Sequence, residues 1–292
     1  MKNSTQVQSK LGLVASADVD AAVSDFSVPN NALVAQLFLN LKCLFLPSSL
    51  DLRSKYIKCT SIRTIRNQLN CGSCWAFASM NSLSDRYCIR YSTALGAAQR
   101  SFSEEDTTEC STPAIGGYGC SGASMTTGYA YAHNIGACTG AEKANTFLCK
   151  PYFLPGGSLP SCQNSCTFPA NYPTPYALDK YKVSSYNQIT GLTLALKVHS
   201  MMCALNSRGT IIAGFRVYQD FFSYSGGVYH HVSGGLAGRH AIRIIGYGNL
   251  GGVAYWLCAN SWGTSWGLGG FFRIRKGVNE SDIEGDVWEA KF

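Results

Sequence analysis

The sequence predicts an α+β protein of two lobes, a mainly helical N-terminal lobe and a C-terminal lobe of antiparallel strands, with a cleft between them. Three observations carry this expectation. After Cys74, residues Phe77, Met80, Leu83, Ser84, Tyr87 and Cys88 recur at three- and four-residue spacing, while Asp85, Arg86 and Arg90 fall elsewhere; that is the pattern of an amphipathic helix. From about residue 210 onward, runs of β-branched and aromatic residues alternate with glycines, at 210–218, 240–248, 254–260 and 270–276, the pattern of strands and turns. The 292 residues, 46% hydrophobic and 14% charged, suffice to fill the cores of two lobes and exclude a disordered chain.

Taken in order, residues 1–45 read as an extension ahead of the folded domain, 46–292. Polar Asn3, Ser4, Thr5, Gln6 and Gln8 occupy the place where a secretion signal needs an apolar core, so no signal peptide is readable. The apolar run 32–41 is interrupted by Gln36 and Asn40; it is too short to span a membrane and reads as a short helix. The helical lobe, 46–166, is built around the Cys74 helix and followed by cysteine-braced loops. The β lobe, 167–292, carries the four strands.

The chemistry centres on Cys71-Gly72-Ser73-Cys74-Trp75-Ala76-Phe77. Cys74 stands at the helix N-terminus, where unpaired N–H groups and the positive end of the helix dipole stabilise an anion. The thiolate, not the thiol, is the nucleophile. Downstream, His240 sits at the mouth of a strand ending in Gly246 and Gly248, and Asn260 ends another, in Asn260-Ser261-Trp262-Gly263. Gln68 lies six residues before Cys74. Each residue alone has a plain structural reading: a core cysteine, a satisfied core histidine, an ordinary turn. Together, in the order Gln, Cys, His, Asn, they supply what amide hydrolysis needs, a nucleophile, a proton donor for the leaving amine and a donor for the oxyanion. Cys74 attacks as thiolate, His240 pairs with it and protonates the amine, and Asn260 fixes the imidazole. Gln68 donates to the oxyanion, and Trp262 shields the His240–Asn260 bond from water.

This set resembles the papain family of cysteine peptidases and is closest to its cathepsin B branch. Leu46-Pro47-Ser48-Ser49-Leu50-Asp51, Ser84-Asp85-Arg86-Tyr87-Cys88, Val217-Tyr218-Gln219-Asp220-Phe221, Ser225-Gly226-Gly227-Val228-Tyr229 and His240-Ala241-Ile242-Arg243-Ile244 are similar to stretches of that branch. His240 lies farther from Cys74 than the roughly 130–150 residues usual in the family, and extra length there is a feature of the branch. The resemblance implies a cysteine endopeptidase acting through a thioacyl-enzyme, a zymogen stage in which residues 1–45 are a shortened pro-segment or else an N-terminal extension, and the disulfides Cys59–Cys88, Cys71–Cys120, Cys110–Cys162 and Cys149–Cys166. Cys43, Cys138, Cys203 and Cys258 are left unassigned, with Cys258 expected as a buried thiol. It also implies protein and peptide substrates, cystatin-type inhibitors, a monomer, and a lysosome-like vacuole or secretion.

Substrate contacts implied by the resemblance fall at Gly122 and Ala123, at Trp262, and at Asp286, which aligns with the acid at the base of the pocket for the residue two positions before the cleaved bond. Ala123 replaces a glycine, and Arg239 stands where a glycine usually precedes the histidine. The branch has a long occluding loop whose two histidines receive a substrate's C-terminal carboxylate. The corresponding interval here, 149–166, contains no histidine, so an open cleft without dipeptidyl carboxypeptidase activity is expected.

Other function classes fit less well. Cys71-Gly72-Ser73-Cys74 is formally a redox C-x-x-C, but no parallel βαβ context surrounds it. A catalytically silent binding protein would require loss at one of the four key positions, and none is lost. The net charge of +7 is dispersed and forms no basic stripe for nucleic acid. Thirteen cysteines without clustered metal-ligand spacing indicate an oxidising compartment. No cofactor and no metal are called for, and His230-His231 lacks further ligands.

Overall fold

The computed structural model describes residues 10–11, 43–142, 144–153 and 159–292. Most of the extension, with its expected helix at 32–41, lies outside the described residues. The regular elements that position the site begin with β1 (Leu50–Asp51) and a one-turn helix α1 (Leu52–Lys55). Three helices follow: α2 (Cys74–Tyr87), α3 (Glu104–Cys110) and α4 (Thr127–Asn134). The remainder is β2 (Ser185–Gln188), α5 (Leu194–Arg208), β3 (Ile211–Tyr218), β4 (Leu236–Leu250), β5 (Val253–Ala259), β6 (Phe271–Arg275) and β7 (Asp286–Lys291).

The strands form one sheet in the order β2-β7-β3-β4-β5-β6, with β1 also pairing β4, and every pairing is antiparallel. All four strand stretches read from the sequence are present. β4 runs beyond 240–248 at both ends: its start pairs with β3 from Leu236, and Gly246 and Gly248 do not stop it. Gly246 instead lets β1 approach, since a Cβ there would overlap the Leu50 carbonyl. The short strands β1, β2 and β7 carried no expectation. β2 and β7 pair with each other at one edge, Ser185 opposite Lys291, and tertiary pairing rather than hydrophobic alternation makes them strands.

α2 is buried on nearly every side, with the sheet on one flank and α3 and α4 on others. Gly128 of α4 permits this approach, because a Cβ there would collide with the Ser79 hydroxyl. The expectation that Asp85 and Arg86 lie off the buried face is therefore corrected: both are buried. Asp85 accepts from Arg243 Nη1 on β4 at 2.6 Å. Arg86 donates from Nε to the Thr210 carbonyl at 2.6 Å and pairs with Glu289 of β7 at 3.3 Å. A helix enclosed on all sides has no solvated stripe, so its charges are matched by partners from the sheet.

One core gathers the inner faces of β3, β4, β5 and β6 with Leu50, Leu52 and Ile62 from the start of the domain. A second surrounds α2 and α4 and takes in Ile212, Ala241 and Ala290 from the sheet. The four implied disulfides all form. A fifth, Cys43–Cys203, joins the end of the extension to α5. Cys138 and Cys258 are buried thiols, and burial pushes both well above the ordinary thiol pKa.

Replacing Arg243 by Leu leaves the Asp85 carboxylate buried without its cation. A loss of about 3–5 kcal/mol of stability is expected, read as a lowered midpoint in denaturant unfolding; an unchanged midpoint would contradict the role assigned to the pair.

Candidate active site

Cys74 is the first residue of α2, with Ser73 at the N-cap position. It is fully buried, belongs to no disulfide, and shares a core cluster with Ala241, the neighbour of His240 on β4. The nearby disulfide Cys71–Cys120 draws the turn at 119–122 against the start of the helix, where Gly72 N–H donates to the Cys120 carbonyl at 3.0 Å. Gly122 takes φ +108°, outside the range of residues with a Cβ. Ala123 is buried against Trp75 and Ala76. The structure thus brings the Gly122–Ala123 segment beside Cys74, with the Ala123 methyl serving as packing.

His240 Nε2 lies 2.8 Å from Asn260 Oδ1. The same oxygen accepts the Ser261 N–H at 2.8 Å, which identifies it as the carbonyl end of the amide and makes Nε2 the donor. A neutral ring must then carry its lone pair on Nδ1. Nδ1 is buried and has no hydrogen-bond partner among the described residues. The Trp262 ring packs over the imidazole, centroids 4.9 Å apart, and Phe215 meets it from another side at 6.0 Å. Burial pushes the imidazole pKa down to about 4, and the charge of Lys10 pushes the same way; the Asn260 hydrogen bond opposes both.

Gln68 reaches this centre through strand-like pairing. Asn67 bridges Trp262, Gln68 N–H donates to the Ser261 carbonyl at 2.9 Å, and Gly263 N–H donates to the Arg66 carbonyl at 3.1 Å. Its side chain is fixed at both ends. Oε1 accepts from Ser261 Oγ at 2.6 Å, and Nε2 donates to the Cys71 carbonyl at 2.7 Å and to the Lys10 carbonyl at 2.9 Å. Lys10 and Leu11 of the extension therefore lie in the site, and Leu11 covers Gly238, two residues before His240.

The sequence profile of the papain family cysteine proteases matches residues 46–290. The chain belongs to the papain family of cysteine proteases. Within that family it is 39% identical over 256 residues to cathepsin B-like cysteine proteinase 4 of Caenorhabditis elegans, covering 82% of this chain and 73% of that protein. It is 41% identical over 251 residues to cathepsin B-like cysteine proteinase 3 of the same organism, covering 83% and 65%. Among solved structures, proCathepsin B S9 from Trypanosoma congolense superposes with a TM-score of 0.79 at 28% identity, covering 99% of this chain and 89% of that one. The protein is thus a cysteine-type peptidase of cathepsin B-like kind, with the two-lobed papain fold.

Asp286, the proposed specificity acid, opens β7 of this papain-family sheet opposite Gly214 of β3. Its carboxylate accepts the Trp288 indole N–H at 2.6 Å. Sequence reasoning passed over Ser261 and Tyr152. Ser261 orients Gln68, while the Tyr152 hydroxyl donates to the Gln68 carbonyl at 3.0 Å and meets Ser73 Oγ at 3.1 Å. Ser261 could have been found as the residue adjoining Asn260; Tyr152 has no local signal. The other histidines have separate settings: His133 bonds the Val183 carbonyl, and His231 stacks on Tyr218 and meets Asp220.

The buried neutral His240 makes this papain-family protein sensitive to acid in a defined window. With the folded pKa near 4 and the unfolded value near 6.5, the unfolded chain binds more protons between them, so stability falls as pH drops from about 6.5 to 4. The contribution is at most about 3 kcal/mol. Urea midpoints of wild type and His240→Gln at pH 7 and 4.5 check it: the variant should lose less on acidification, and equal losses would exclude the effect.

Proposed function

We propose that the protein is a cysteine endopeptidase made as a zymogen, with Cys74, His240, Asn260 and Gln68 as its working residues. The observation that carries this reading is Gln68 Nε2 donating to the Lys10 carbonyl at 2.9 Å: a peptide carbonyl from the extension sits where the reacting carbonyl of a substrate would be held. In this reading His240 Nδ1 takes the Cys74 proton, and the thiolate at the N-terminus of α2 attacks the scissile carbonyl carbon. The resulting oxyanion is held by Gln68 Nε2 and the Cys74 backbone N–H. Collapse breaks the C–N bond as the imidazolium protonates the amine, leaving a thioacyl-enzyme. Water, deprotonated by His240, then releases the acid and restores the thiol. Asn260 keeps the ring in the tautomer this requires, and Trp262 excludes water from the bond.

Residues 1–45 act as a short pro-segment and 46–292 as the peptidase domain. Acid favours departure of the segment, since protonated His240 and Lys10 repel each other. With no histidine between Cys149 and Cys166, no imidazolium from that interval can receive a substrate's terminal carboxylate, which supports internal cleavage. Gly122 and Asp286 contact the substrate backbone and side chain. The enzyme acts as a monomer in a lysosome-like vacuole or after secretion, where its disulfides persist. Cystatin-type proteins are its expected inhibitors.

A long peptide blocked at both ends, incubated with the full chain under reductant, should be cut internally, and Cys74→Ala should abolish this by mass spectrometry. Trimming confined to unblocked C-termini would favour an exopeptidase instead. Gln68→Ala is expected to lower kcat by on the order of 10²–10³. A cut between Cys43 and Leu46 leaves the extension joined through Cys43–Cys203, so non-reducing mass measurement should show one species and reduction two.

A further inference from the structure

Two arginines beside the reacting centre have no part in the chemistry above. Residues alternate faces along a strand, so Arg239 and Ala241 share the face of β4 opposite to His240. Ala241 belongs to the core cluster of Cys74. In the β3–β4 register Arg216 stands directly across from Arg239, and Gly214 across from Ala241. Gly214 is in turn opposite Asp286. This face therefore runs from the Cys74 cluster, past two small residues, to a pair of guanidinium groups.

Like charges placed directly across two strands destabilise the pairing unless an anion joins them. Here a single carboxylate serves both: Asp282 Oδ2 lies 3.4 Å from Arg239 Nη1 and 3.8 Å from Arg216 Nε. Its other oxygen accepts from Asn279 Nδ2 at 3.1 Å. Both contacts are longer than a charge-assisted hydrogen bond and neither is bidentate, so most of the N–H donors are uncommitted among the described residues. The Arg216 side chain is 50% exposed and that of Arg239 23%. The other acids nearby are otherwise engaged. Glu284 is buried and accepts from the Trp256 indole and the N–H groups of Gly277 and Asn279, and Asp286 holds Trp288. Lys197, bonded to the Gly285 carbonyl at 2.6 Å, adds a further cation to the same segment.

The extension marks where a peptide runs. With the Lys10 carbonyl on Gln68 and Leu11 over Gly238, a chain in the cleft passes the Gly238–Arg239 strand within a residue or two of the reacting carbonyl. We infer that Arg239 and Arg216 receive an acidic side chain of the substrate, so that the enzyme selects peptides with Glu or Asp close to the cleaved bond. This rests on the cysteine peptidase reading and names its substrate class.

The test uses the full chain activated in mild acid with reductant, and doubly blocked peptides that differ only in carrying Glu, Gln or Arg at each position flanking the scissile bond. Wild type is expected to favour Glu over Arg by about tenfold in kcat/KM at one position. Arg239→Gln and Arg216→Gln should bring that ratio near unity, and Arg239→Lys should keep part of it. The ratio to the Gln peptide is internal to each variant, so partial misfolding does not move it. Hydrolysis with no acidic preference, or a preference that survives both Gln variants, overturns the inference alone. No hydrolysis of any peptide overturns the peptidase reading and the inference with it.

Discussion

The buried ion pair between Asp85 and Arg243 is the constraint on which the site depends. One guanidinium touches the helix that starts at Cys74, belongs to the strand that carries His240, and donates to the Ser61 and Thr64 carbonyls on the segment leading to Gln68. Three parts of the catalytic constellation, remote in sequence, are thereby referred to one rigid group. A hydrophobic replacement could fill the volume but could not fix direction. The planar donor set of arginine fixes the angle between α2 and β4 as well as their distance.

Around that frame the site is buried. His240, Gln68 and Cys74 are fully buried and Asn260 nearly so, with Trp262 over the imidazole. Exclusion of water strengthens the His240–Asn260 hydrogen bond and depresses the imidazole pKa at the same time. The second effect opposes a charged thiolate–imidazolium pair while the extension is present, and Lys10 adds to it. In the proposed zymogen reading, the segment in the cleft would suppress the chemistry twice, by occupying the donor on Gln68 and by disfavouring the proton on His240.

On the proposed reading, β4 separates catalysis from recognition by the alternation of its side chains. His240 faces Asn260 and Trp262, whereas Arg239, its immediate neighbour, faces Arg216, Asp282 and the open side. Substitution at Arg239 can therefore alter which substrates are chosen without displacing the imidazole.

Much of this was legible in the chain. The three- and four-residue spacing after Cys74 defined α2, the glycine-punctuated runs defined β3 to β6, and the short motifs around Gln68, Cys74, His240 and Asn260, in that order, pointed to the candidate centre, because periodicity and motif chemistry are each written in a few neighbouring residues. Asp85 and Arg86 misled, since the same periodicity does not tell a helix with one solvated face from one enclosed on every side. The pairing of β2 with β7, the Cys43–Cys203 link, the Ser261 and Tyr152 contacts to Gln68, and the shared partner of Arg216 and Arg239 were decided by tertiary structure alone. Each joins groups far apart in sequence, and their approach is set by how the sheet and the helices pack, which no local pattern of residues records.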